Sequence, residues 1–364
     1  MRWSAEQERA LSAVRAWLKA GDRPVFRLFG YAGTGKTTLA RHVAEGVDGT
    51  VLFAAFTGKA AHVMRGKGCQ DASTIHSLIY RMRGEDESGP TFVLNRDSAA
   101  AKAAMIVIDE CSMVDEEIGN DLLSFRRPIL VLGDPAQLPP VAGGGFFTNA
   151  DADVMLTEVH RQAADNPIVR LSMIVREGGR LEVGQYGESS VVPRHGIEPA
   201  DVLSADTVLV GRNSTRRAYN ARIRELLGRA NSTPVAGDTL VCLRNDRKRG
   251  LLNGSLWHVD RVRTPRKGLL RYALSPEEGE HGKGRTVVTI NPAFFDGTAE
   301  ALTPAERKRS DAFDFGYVLT VHKSQGSQWN DIVLFDESFA FREHASRWLY
   351  TGITRAASRI RIVR

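Results

Sequence analysis

Short, nearly continuous runs of apolar residues alternate with polar or glycine-rich clusters in the first part of the chain. Four such runs are PVFRLFG, TVLFAAF, AMIVIDE and PILVLGD, and they lead into YAGTGKTT, TGKAA, CSM and PAQLPP in that order. Strands that are buried on both faces of a parallel sheet need this apolar character, and open parallel sheets bind ligands beyond the carboxyl ends of their strands. The pattern predicts an α/β domain over residues 1–150 whose polar clusters lie at one edge of the sheet.

A second set of apolar runs predicts another α/β domain. DTVLVG precedes the helix-like segment NSTRRAYNARIRELLG, and YVLTVHKSQG, DIVLFDE and a final strand at 359–363 follow near the end of the chain. Between them, GDTLVCLRN, the turn at Asn253-Gly254 and SLWHVDRV indicate antiparallel strands joined by tight turns. We therefore predict a second domain made of residues 151–234 and 315–364, with a small β-barrel at 235–314 inserted into it.

A shorter segment interrupts the first domain between two of its predicted strands. Its sequence, YRMRGEDESGPTFVLNRDSAAAKA at residues 80–103, has a turn-rich centre between two strand-like ends. These features predict a hairpin, and on their own they are equally typical of a plain surface hairpin.

Composition narrows the class of protein only slightly. The chain has 364 residues, of which 42% are hydrophobic, and this length suits two domains with a small insertion. Lys and Arg number 49 against 43 Asp and Glu, and the net charge of +6 favours a polyanionic partner without requiring one. Cys69, Cys111 and Cys242 form no CxxC pair, which indicates neither a disulfide framework nor a zinc site and fits a reducing cytoplasm.

No segment of the sequence predicts export or membrane insertion. The first residues, MRWSAEQERALSAVRAWLK, place Leu11, Val14 and Leu18 at helical spacing among charges and lack the apolar core of a signal peptide. No run approaches the roughly eighteen apolar residues of a membrane span. We therefore expect a cytoplasmic protein without membrane contact.

The segment GYAGTGKT matches the phosphate-loop pattern G-x-x-x-x-G-K-[ST], and it follows an apolar strand and precedes a helix. Backbone N–H groups of such a loop turn inward around phosphates, and the helix N-terminus adds positive potential. Lys36 would then reach the β- and γ-phosphates, and Thr37 would offer its hydroxyl to Mg²⁺. The residues predicted to hold ATP in this loop are Gly30, Tyr31, Ala32, Gly33, Thr34, Gly35, Lys36, Thr37 and Thr38.

Further polar residues complete a predicted ATPase site. Asp109 and Glu110 end the run MIVI, where the aspartate can hold Mg²⁺ and the glutamate can orient and deprotonate the attacking water, although two such acids can also cap a helix. The Gln137 amide, after the next run, can sense the γ-phosphate and the water, whereas Asp134 and the prolines around it are also typical of a rigid turn. Gln7 can hydrogen-bond both edges of an adenine with its amide.

The order of these segments resembles that of superfamily 1B helicases of the RecD-like and Dda-like kind, which are AAA-type P-loop ATPases. The matching segments span nearly the whole chain: QERAL, GYAGTGKT, FTGKAA, STIHSLI, VIDECSM, GDPAQLPPV, LTEVHRQ, GDTLVCLRND with LLNG, YVLTVHKSQGSQWNDIVL and LYTGITRA. The resemblance implies two RecA-like domains with parallel sheets, ATP between them, single-stranded DNA across their tops and 5′-to-3′ movement. It also implies that the segment 80–103 is a short hairpin insertion, 1B, and that 235–314 is an SH3-like barrel, 2B.

The resemblance also assigns roles to individual side chains. Arg355 matches the arginine of the last motif of the family, and Arg161, in EVHRQ, matches another. An arginine delivered from a second domain stabilises charge on the transferred phosphoryl group and can raise turnover by roughly 10³ to 10⁵. Phe92 is the expected wedge residue of the hairpin. The side chains expected to contact DNA are Thr57, Lys59, Thr74, His76, Thr320, His322, Lys323, Ser324 and Gln325.

Three positions depart from the usual residues of this family. Phe56 stands where proline is usual, Gln328 where an acidic residue is usual, and Gly352 where alanine is frequent. None of these changes removes a group that the chemistry needs.

The expected function is an ATP-dependent 5′-to-3′ DNA helicase in replication, recombination or repair, with ATP and Mg²⁺ as cofactors. Its expected partners are single-stranded DNA and junctions of single- and double-stranded DNA, and we expect a monomeric motor that can also meet replication or repair proteins. Two alternatives stay open: RNA as the track, or a nucleotide-switched subunit of a larger DNA-processing complex. The chain has no N-K-x-D segment for reading guanine, and a small-molecule kinase would not explain the second α/β half.

Overall fold

The structure, a computed structural model, contains three sheets and a separate two-stranded hairpin. The parts of the chain that it describes are residues 3–86, 89–139, 145–158, 165–229, 231–244, 246, 249–277 and 284–364. Two sheets have six strands each and are mainly parallel, and the third has five antiparallel strands, so the predicted α/β class is confirmed. Among the described residues, no helix is both long and apolar enough to cross a membrane.

The regular elements are numbered in chain order. The strands are β1 Val25–Gly30, β2 Val51–Ala55, β3 Ser73–Thr74, β4 Tyr80–Asp86, β5 Gly89–Leu94, β6 Met105–Asp109, β7 Ile129–Gly133, β8 Val154–Leu156, β9 Gly184–Tyr186, β10 Ser189–Val192, β11 Thr207–Val210, β12 Thr239–Cys242, β13 Leu256–Arg266, β14 Leu269–Pro276, β15 Thr286–Ile290, β16 Phe313–Phe315, β17 Val318–Thr320, β18 Trp329–Phe335 and β19 Ala356–Val363. The helices are α1 Ala5–Ala20, α2 Lys36–Glu45, α3 Gly58–Gly66, α4 Ile75–Ile79, α5 Glu116–Leu123, α6 Pro167–Arg176, α7 Pro199–Ser204, α8 Asn213–Leu226, α9 Ala293–Asp296, α10 Pro304–Lys308 and α11 Ala345–Ile353.

The first sheet has the order β3-β2-β6-β7-β1-β8, and all its neighbouring strands are parallel. Its central strands are covered on both faces, as their apolar runs predicted. In β6, Ile106 and Ile108 pack with the helices α4 and α5, whereas Val107 packs with α1 and α2 on the other face. The polar segments that follow β1, β2, β6 and β7 therefore lie at the same edge of the sheet.

The first domain extends past residue 150, where the sequence analysis ended it. Strand β8 pairs in parallel with β1, with Leu28 opposite Val154 and Gly30 opposite Leu156. The predicted boundary is therefore too early, because a strand of only three residues carries too little periodicity to be recognised as the edge of a sheet. Helix α6, which comes later, packs into the core of the second domain.

The segment 80–103 contains an antiparallel hairpin formed by β4 and β5. Met82 lies opposite Phe92 across this hairpin, and their side chains are exposed to 52% and 46%. Two large, half-exposed apolar side chains that lie opposite each other offer an apolar surface to an external partner.

The second sheet has the order β17-β11-β18-β19-β10-β9 and is parallel except for the edge strand β9. The sequence analysis missed β9 and β10, which are short. The final strand β19 begins at Ala356, three residues before the predicted start at Arg359. Helix α11 packs against this sheet with Trp348, Leu349 and Ile353 buried, as expected from their spacing.

A carboxylate occupies the turn between β11 and α8 in the second domain. Glu337, only 1% exposed, accepts hydrogen bonds from the backbone N–H groups of Gly211 (2.7 Å) and Arg212 (3.0 Å), from Arg212 Nε (2.8 Å) and from Thr215 Oγ1 (2.7 Å). Burial alone would raise the pKa of Glu337, but the hydrogen bonds from Thr215, Arg212 and Gly211 lower it below its ordinary value. The start of α8 is thus satisfied by a protein anion.

The third sheet has the order β15-β14-β13-β12-β16 and is antiparallel throughout. Its interior is filled by Trp257, Tyr272 and Phe313, each at most 1% exposed. The strands occupy the region predicted for the inserted barrel, and β16 ends at Phe315, one residue beyond the predicted limit of 314.

Candidate nucleotide site and strand-binding surface

The phosphate loop connects β1 to α2 and needs its glycines for two separate reasons. A side chain at Gly30 would come within 2.7 Å of both Leu156 Cβ and Thr34 Oγ1, and Gly35 has a φ of +85°. Lys36 Nζ donates to the carbonyl oxygens of Gly30 (2.6 Å) and Tyr31 (3.0 Å). The loop therefore holds its ammonium group in place by its own backbone.

Two oxygen ligands suited to Mg²⁺ lie beside this loop. Thr37, at the start of α2, donates its hydroxyl to Asp109 Oδ2 at the end of β6, at 3.0 Å. Mg²⁺ prefers oxygen donors and is commonly held by one or two protein groups together with substrate phosphates. The pair fits the metal role predicted for it.

Glu110 adopts a backbone conformation that is unusual for a residue with a side chain. Its φ is +51°, in the left-handed region, and its N–H donates to Asp109 Oδ1 at 2.8 Å. Burial raises the pKa of the Glu110 carboxyl, the charge of Arg355 acts in the opposite direction, and Asp109 raises it further. A residue with a strained backbone and a carboxyl of raised pKa that faces a cleft is typical of a functional base.

Arg355 follows helix α11 of the second domain and reaches the same cleft. Its guanidinium donates to the carbonyl oxygens of Thr351 (3.1 Å) and Ser327 (3.3 Å) and to Thr354 Oγ1 (3.2 Å), and the residue is 5% exposed. Its Nη1 lies 3.8 Å from Glu110 Oε1. The arginine predicted to act across domains thus contacts the first domain at the predicted base.

A cleft of about 300 Å³ lies between the two parallel sheets. The first domain lines it with the phosphate loop, Asp109, Glu110 and Gln137, and the second domain lines it with 326–328 and Arg355. The structure therefore brings these predicted catalytic groups together. Arg161 lies outside the described residues.

The two glutamines predicted to contact the nucleotide differ in their surroundings. Gln137 lines the cleft, and its buried amide oxygen has no hydrogen-bond partner among the described residues. Gln7 is 2% exposed, donates from Nε2 to the Thr34 carbonyl at 3.1 Å and accepts from Ser4 N at 3.1 Å in the cap of α1. Gln7 thus supports the phosphate loop directly, and its adenine contact stays a prediction.

Helix α11 also hydrogen-bonds the first domain through residues to which the sequence analysis gave no role. Tyr350 OH accepts from Ala32 N in the phosphate loop (2.9 Å) and donates to Asp134 Oδ2 (2.7 Å), although 318 residues separate Ala32 from Tyr350. Thr351 Oγ1 accepts from Leu138 N at 2.8 Å. Their position within five residues of Arg355 in LYTGITRA is the signal that would have indicated them.

In the first domain, the residues predicted to contact single-stranded DNA follow β2 or lie at and after the end of β3, and two of them cap helices. Thr57 Oγ1 accepts from Ala60 N, and Thr74 Oγ1 accepts from Ser77 N, each at 3.1 Å. Such caps place these threonines at the first turns of α3 and α4. Their contact with a strand stays a prediction.

Lys59 and His76 each contact an aromatic ring. Lys59 Nζ lies 4.0 Å from the centroid of the Trp329 ring in the second domain, so this lysine is part of the contact between domains. His76 is half-buried, with its ring centroid 5.2 Å from that of Tyr80.

Two of the predicted strand contacts in the second domain are turned inward. Ser324 is fully buried and donates from Oγ to the Val321 carbonyl at 2.8 Å, and Gln325, 6% exposed, donates from Nε2 to the Leu138 carbonyl at 2.9 Å. The structure contradicts a surface strand contact for both, because the turn itself and the first domain use their polar groups. Thr320 is also largely buried at 6%, and its Oγ1 accepts from Lys323 N.

His322 and Lys323 remain accessible on the same turn. His322 is half-buried with its ring 5.4 Å from that of Phe341, and Lys323 is exposed. Of the five candidates in this turn, these two present polar atoms to solvent, and phosphate contacts of this kind are independent of base sequence.

Comparison with known proteins identifies the families that the sequence matches. The sequence profile described as AAA domain matches residues 2–196, and that of the UvrD-like helicase C-terminal domain matches residues 315–363. The chain is 29% identical over 371 residues to the ATP-dependent RecD2 DNA helicase of Deinococcus radiodurans, covering 93% of this chain and 47% of that protein. It is 33% identical over 218 residues to the ATP-dependent DNA helicase dda of Enterobacteria phage T4, covering 56% of this chain and 47% of that protein.

Solved structures share the fold. The Pif1 helicase from Candida albicans superposes with a TM-score of 0.53 at 17% identity, over 100% of this chain and 95% of that chain. Bacteroides Pif1 bound to single-stranded DNA superposes with a TM-score of 0.54 at 16% identity, over 99% of this chain and 92% of that chain. The chain spans about half the length of the RecD2 and dda relatives.

Proposed function

The chain belongs to the AAA domain family, and we propose that it is an ATP-dependent DNA helicase that moves 5′ to 3′ on single-stranded DNA in replication, recombination or repair. The observation that carries the proposal is the cleft in which Lys36, Glu110 and Gln137 of one domain face Arg355 of the other. Relatives named as ATP-dependent DNA helicases and a fold shared with Pif1 bound to single-stranded DNA support it.

The residues of the cleft have separate roles in ATP hydrolysis. Lys36 and the loop N–H groups bind the phosphates, and Thr37 and Asp109 would hold a Mg²⁺ ion that neutralises phosphate charge. Glu110 takes the proton of the attacking water, and the amide oxygen of Gln137, which has no partner among the residues that the structure describes, accepts from the same water. Arg355, and Arg161 by resemblance, stabilise the charge that spreads over the γ-phosphate oxygens.

The protein moves along single-stranded DNA if closure of the cleft is coupled to the contacts that each domain makes with the DNA. We assign the DNA contacts to Thr57, Thr74 and His76 in the first domain and to His322 and Lys323 in the second. Lys59 is left out because its ammonium group is buried against Trp329 of the second domain. Approach and release of the two domains during hydrolysis would shift one set of contacts relative to the other. We assign the hairpin of β4 and β5 to the 1B insertion and the five-stranded antiparallel sheet to the 2B insertion.

The pH dependence of turnover tests the assignment of Glu110 as the base. Only the charged carboxylate accepts the proton, so kcat falls as pH drops through its pKa, and burial places this fall above the pH expected for an ordinary glutamate. Removing the Arg355 charge, which lowers this pKa, should move the fall to still higher pH. The measurement is kcat from about pH 5 to pH 8 at saturating ATP and DNA.

Glu116→Gln provides the control for this profile, because Glu116 is an exposed glutamate on α5. This variant should leave the fall of kcat at low pH where it is in the wild type. A wild-type kcat that falls only at or below the pKa of a free glutamate side chain would contradict the assignment.

The exposed pair on the hairpin suggests a second test. Phe92→Ala should lower the rate of duplex unwinding roughly tenfold, since a base stacked on an aromatic ring is worth about 1–3 kcal/mol. DNA-stimulated ATP hydrolysis should stay within about twofold of wild type, because the hairpin does not line the cleft. Unwinding of a forked duplex and phosphate release are measured on the same preparation.

Phe339→Ala is the matched control, because Phe339 is a 66% exposed phenylalanine outside the hairpin. It should unwind like the wild type. An equal loss of unwinding in Phe92→Ala and Phe339→Ala would contradict a specific role of Phe92 in strand separation.

The direct experiment uses two duplexes, one with a 5′ single-stranded tail and one with a 3′ tail, with ATP and Mg²⁺. Unwinding of the 5′-tailed duplex alone supports both motor and polarity, and preference for the 3′ tail overturns the polarity. DNA-stimulated hydrolysis without unwinding favours a subunit that awaits its partner, and stronger stimulation by RNA than by DNA of matched sequence favours the RNA track.

A further inference from the structure

The loop that carries Gln137 is held at both ends by the second domain. At its start, Asp134 Oδ2 accepts from Tyr350 OH at 2.7 Å. At its end, Leu138 N donates to Thr351 Oγ1 at 2.8 Å and Leu138 O accepts from Gln325 Nε2 at 2.9 Å. The loop belongs to the first domain by its chain position after β7, but its backbone is fixed by groups of the second.

Leu138 is attached to the second domain by packing as well. Its side chain is 1% exposed and belongs to the hydrophobic core that includes Leu319, Val321 and Ile353. Because such cores are close-packed, Leu138 has to follow any displacement of the strand ends and helix around it. Gln137 is the next residue along the chain, so the position of its amide in the cleft depends on the second domain.

Gln325 joins this loop to the turn that presents His322 and Lys323. The turn is compact: Ser324 N donates to the Thr320 carbonyl (3.0 Å) and Gln325 N donates to the His322 carbonyl (3.4 Å). The carbonyl of Ser327, two residues beyond Gln325, accepts from Arg355. This short turn therefore faces solvent on one side. On the other side it contacts Leu138, the neighbour of Gln137, and the adjoining Ser327 contacts Arg355 of the cleft.

We propose that Gln325 is a positioning residue that transmits occupancy of the strand-binding turn to Gln137 through Leu138, and that it does not contact the strand itself. The inference rests on the proposed function. When single-stranded DNA displaces His322 and Lys323, the turn moves as a unit, and the hydrogen bond from Gln325 moves Leu138 with it. Gln137 is then positioned to bind the attacking water. Strand binding thereby raises the rate of hydrolysis.

Kinetics separate this role from direct strand contact. In Gln325→Leu, which keeps the bulk but removes the donor, we expect the maximal rate at saturating single-stranded DNA to fall about tenfold, a loss within the usual range of coupling between sites. The dissociation constant for oligothymidylate, measured by fluorescence anisotropy, should stay within about twofold of wild type. Gln325→Glu should behave similarly, because a carboxylate facing the Leu138 carbonyl cannot donate.

Two further variants make the outcome decisive. Thr351→Val removes the acceptor of Leu138 N from the opposite side and should reproduce the loss of stimulated rate with unchanged DNA affinity. His322→Ala, on the solvent side of the same turn, should instead raise the DNA concentration needed for half-maximal stimulation. Thermal melting of each variant verifies that it is folded.

The results discriminate between the inference and the function on which it rests. A Gln325→Leu protein whose DNA affinity falls while its maximal rate is retained would show that Gln325 contacts the strand, and one that matches wild type in both would also overturn the inference. A wild-type protein that is not stimulated by single-stranded DNA would overturn the proposed function, and the inference with it.

Discussion

Lys36→Ala is expected to lower ATP hydrolysis by at least about 10²–10³-fold, because removing one preorganised group that stabilises transition-state charge typically costs this much. In the structure the ammonium is held at the mouth of the phosphate loop by the carbonyl oxygens of Gly30 and Tyr31, so its position is defined before nucleotide binds. The measurement is steady-state phosphate release with saturating ATP, Mg²⁺ and single-stranded DNA.

Lys67→Ala is the appropriate comparison for this variant. Lys67 also lines the cleft but lies outside the phosphate loop, at the end of α3. If positive potential in the cleft were sufficient, the two variants would lose similar activity. We expect Lys67→Ala to retain most of its turnover, and full activity of Lys36→Ala would show that the phosphate site is assigned wrongly.

Arg355→Ala is expected to lower DNA-stimulated turnover roughly 10³-fold while strand binding is retained, as for other arginines that act across a cleft. Arg355 lies 3.8 Å from the predicted base Glu110, whereas the accessible strand candidates His322 and Lys323 lie on a separate turn. The measurements are kcat at saturating DNA and the dissociation constant for an oligonucleotide. Arg355→Lys should recover little, because lysine keeps the charge but lacks the planar fork.

Loss of structure has to be separated from loss of catalysis in this case, because Arg355 is 5% exposed and its guanidinium makes three hydrogen bonds to its own domain. Thermal melting of Arg355→Ala answers this question. Arg359→Ala controls for the charge change, because it removes an arginine of β19 that pairs with Asp331 of β18. This variant should turn over within about twofold of wild type. Turnover of folded Arg355→Ala equal to wild type would exclude the catalytic role.

Local pattern and family resemblance explain most of what the sequence predicted correctly. The phosphate loop and the acids after β6 are readable because a short motif between a strand and a helix specifies both conformation and chemistry. Arg355 was placed by resemblance alone, since no local pattern reveals that a residue after the last helix faces a loop near the start of the chain. Both sheets were predicted from nearly continuous apolar runs, which short edge strands such as β8 and β9 lack.

The residues that sequence reasoning misjudged are those whose partners are distant in the chain. Ser324 and Gln325 stand in a polar turn and read as surface residues, but the fold buries both of them, and Gln325 donates to Leu138 of the first domain. Tyr350 and Thr351 read as part of an apolar helix, and their hydroxyl groups gain a role only because Asp134 and Leu138 lie opposite. Burial of polar groups depends on tertiary pairing, which local periodicity does not report.

The carboxylate at the start of α8 bears on the number of phosphate sites that the two parallel sheets can offer. In the first domain the corresponding turn between strand and helix is open to phosphates, whereas in the second domain Glu337 already fills it with negative charge. A triphosphate would be repelled there, and it would find the N–H donors taken. Under the proposed function we therefore expect one ATP to be bound per chain, because the turn that precedes α8 cannot serve as a second phosphate site.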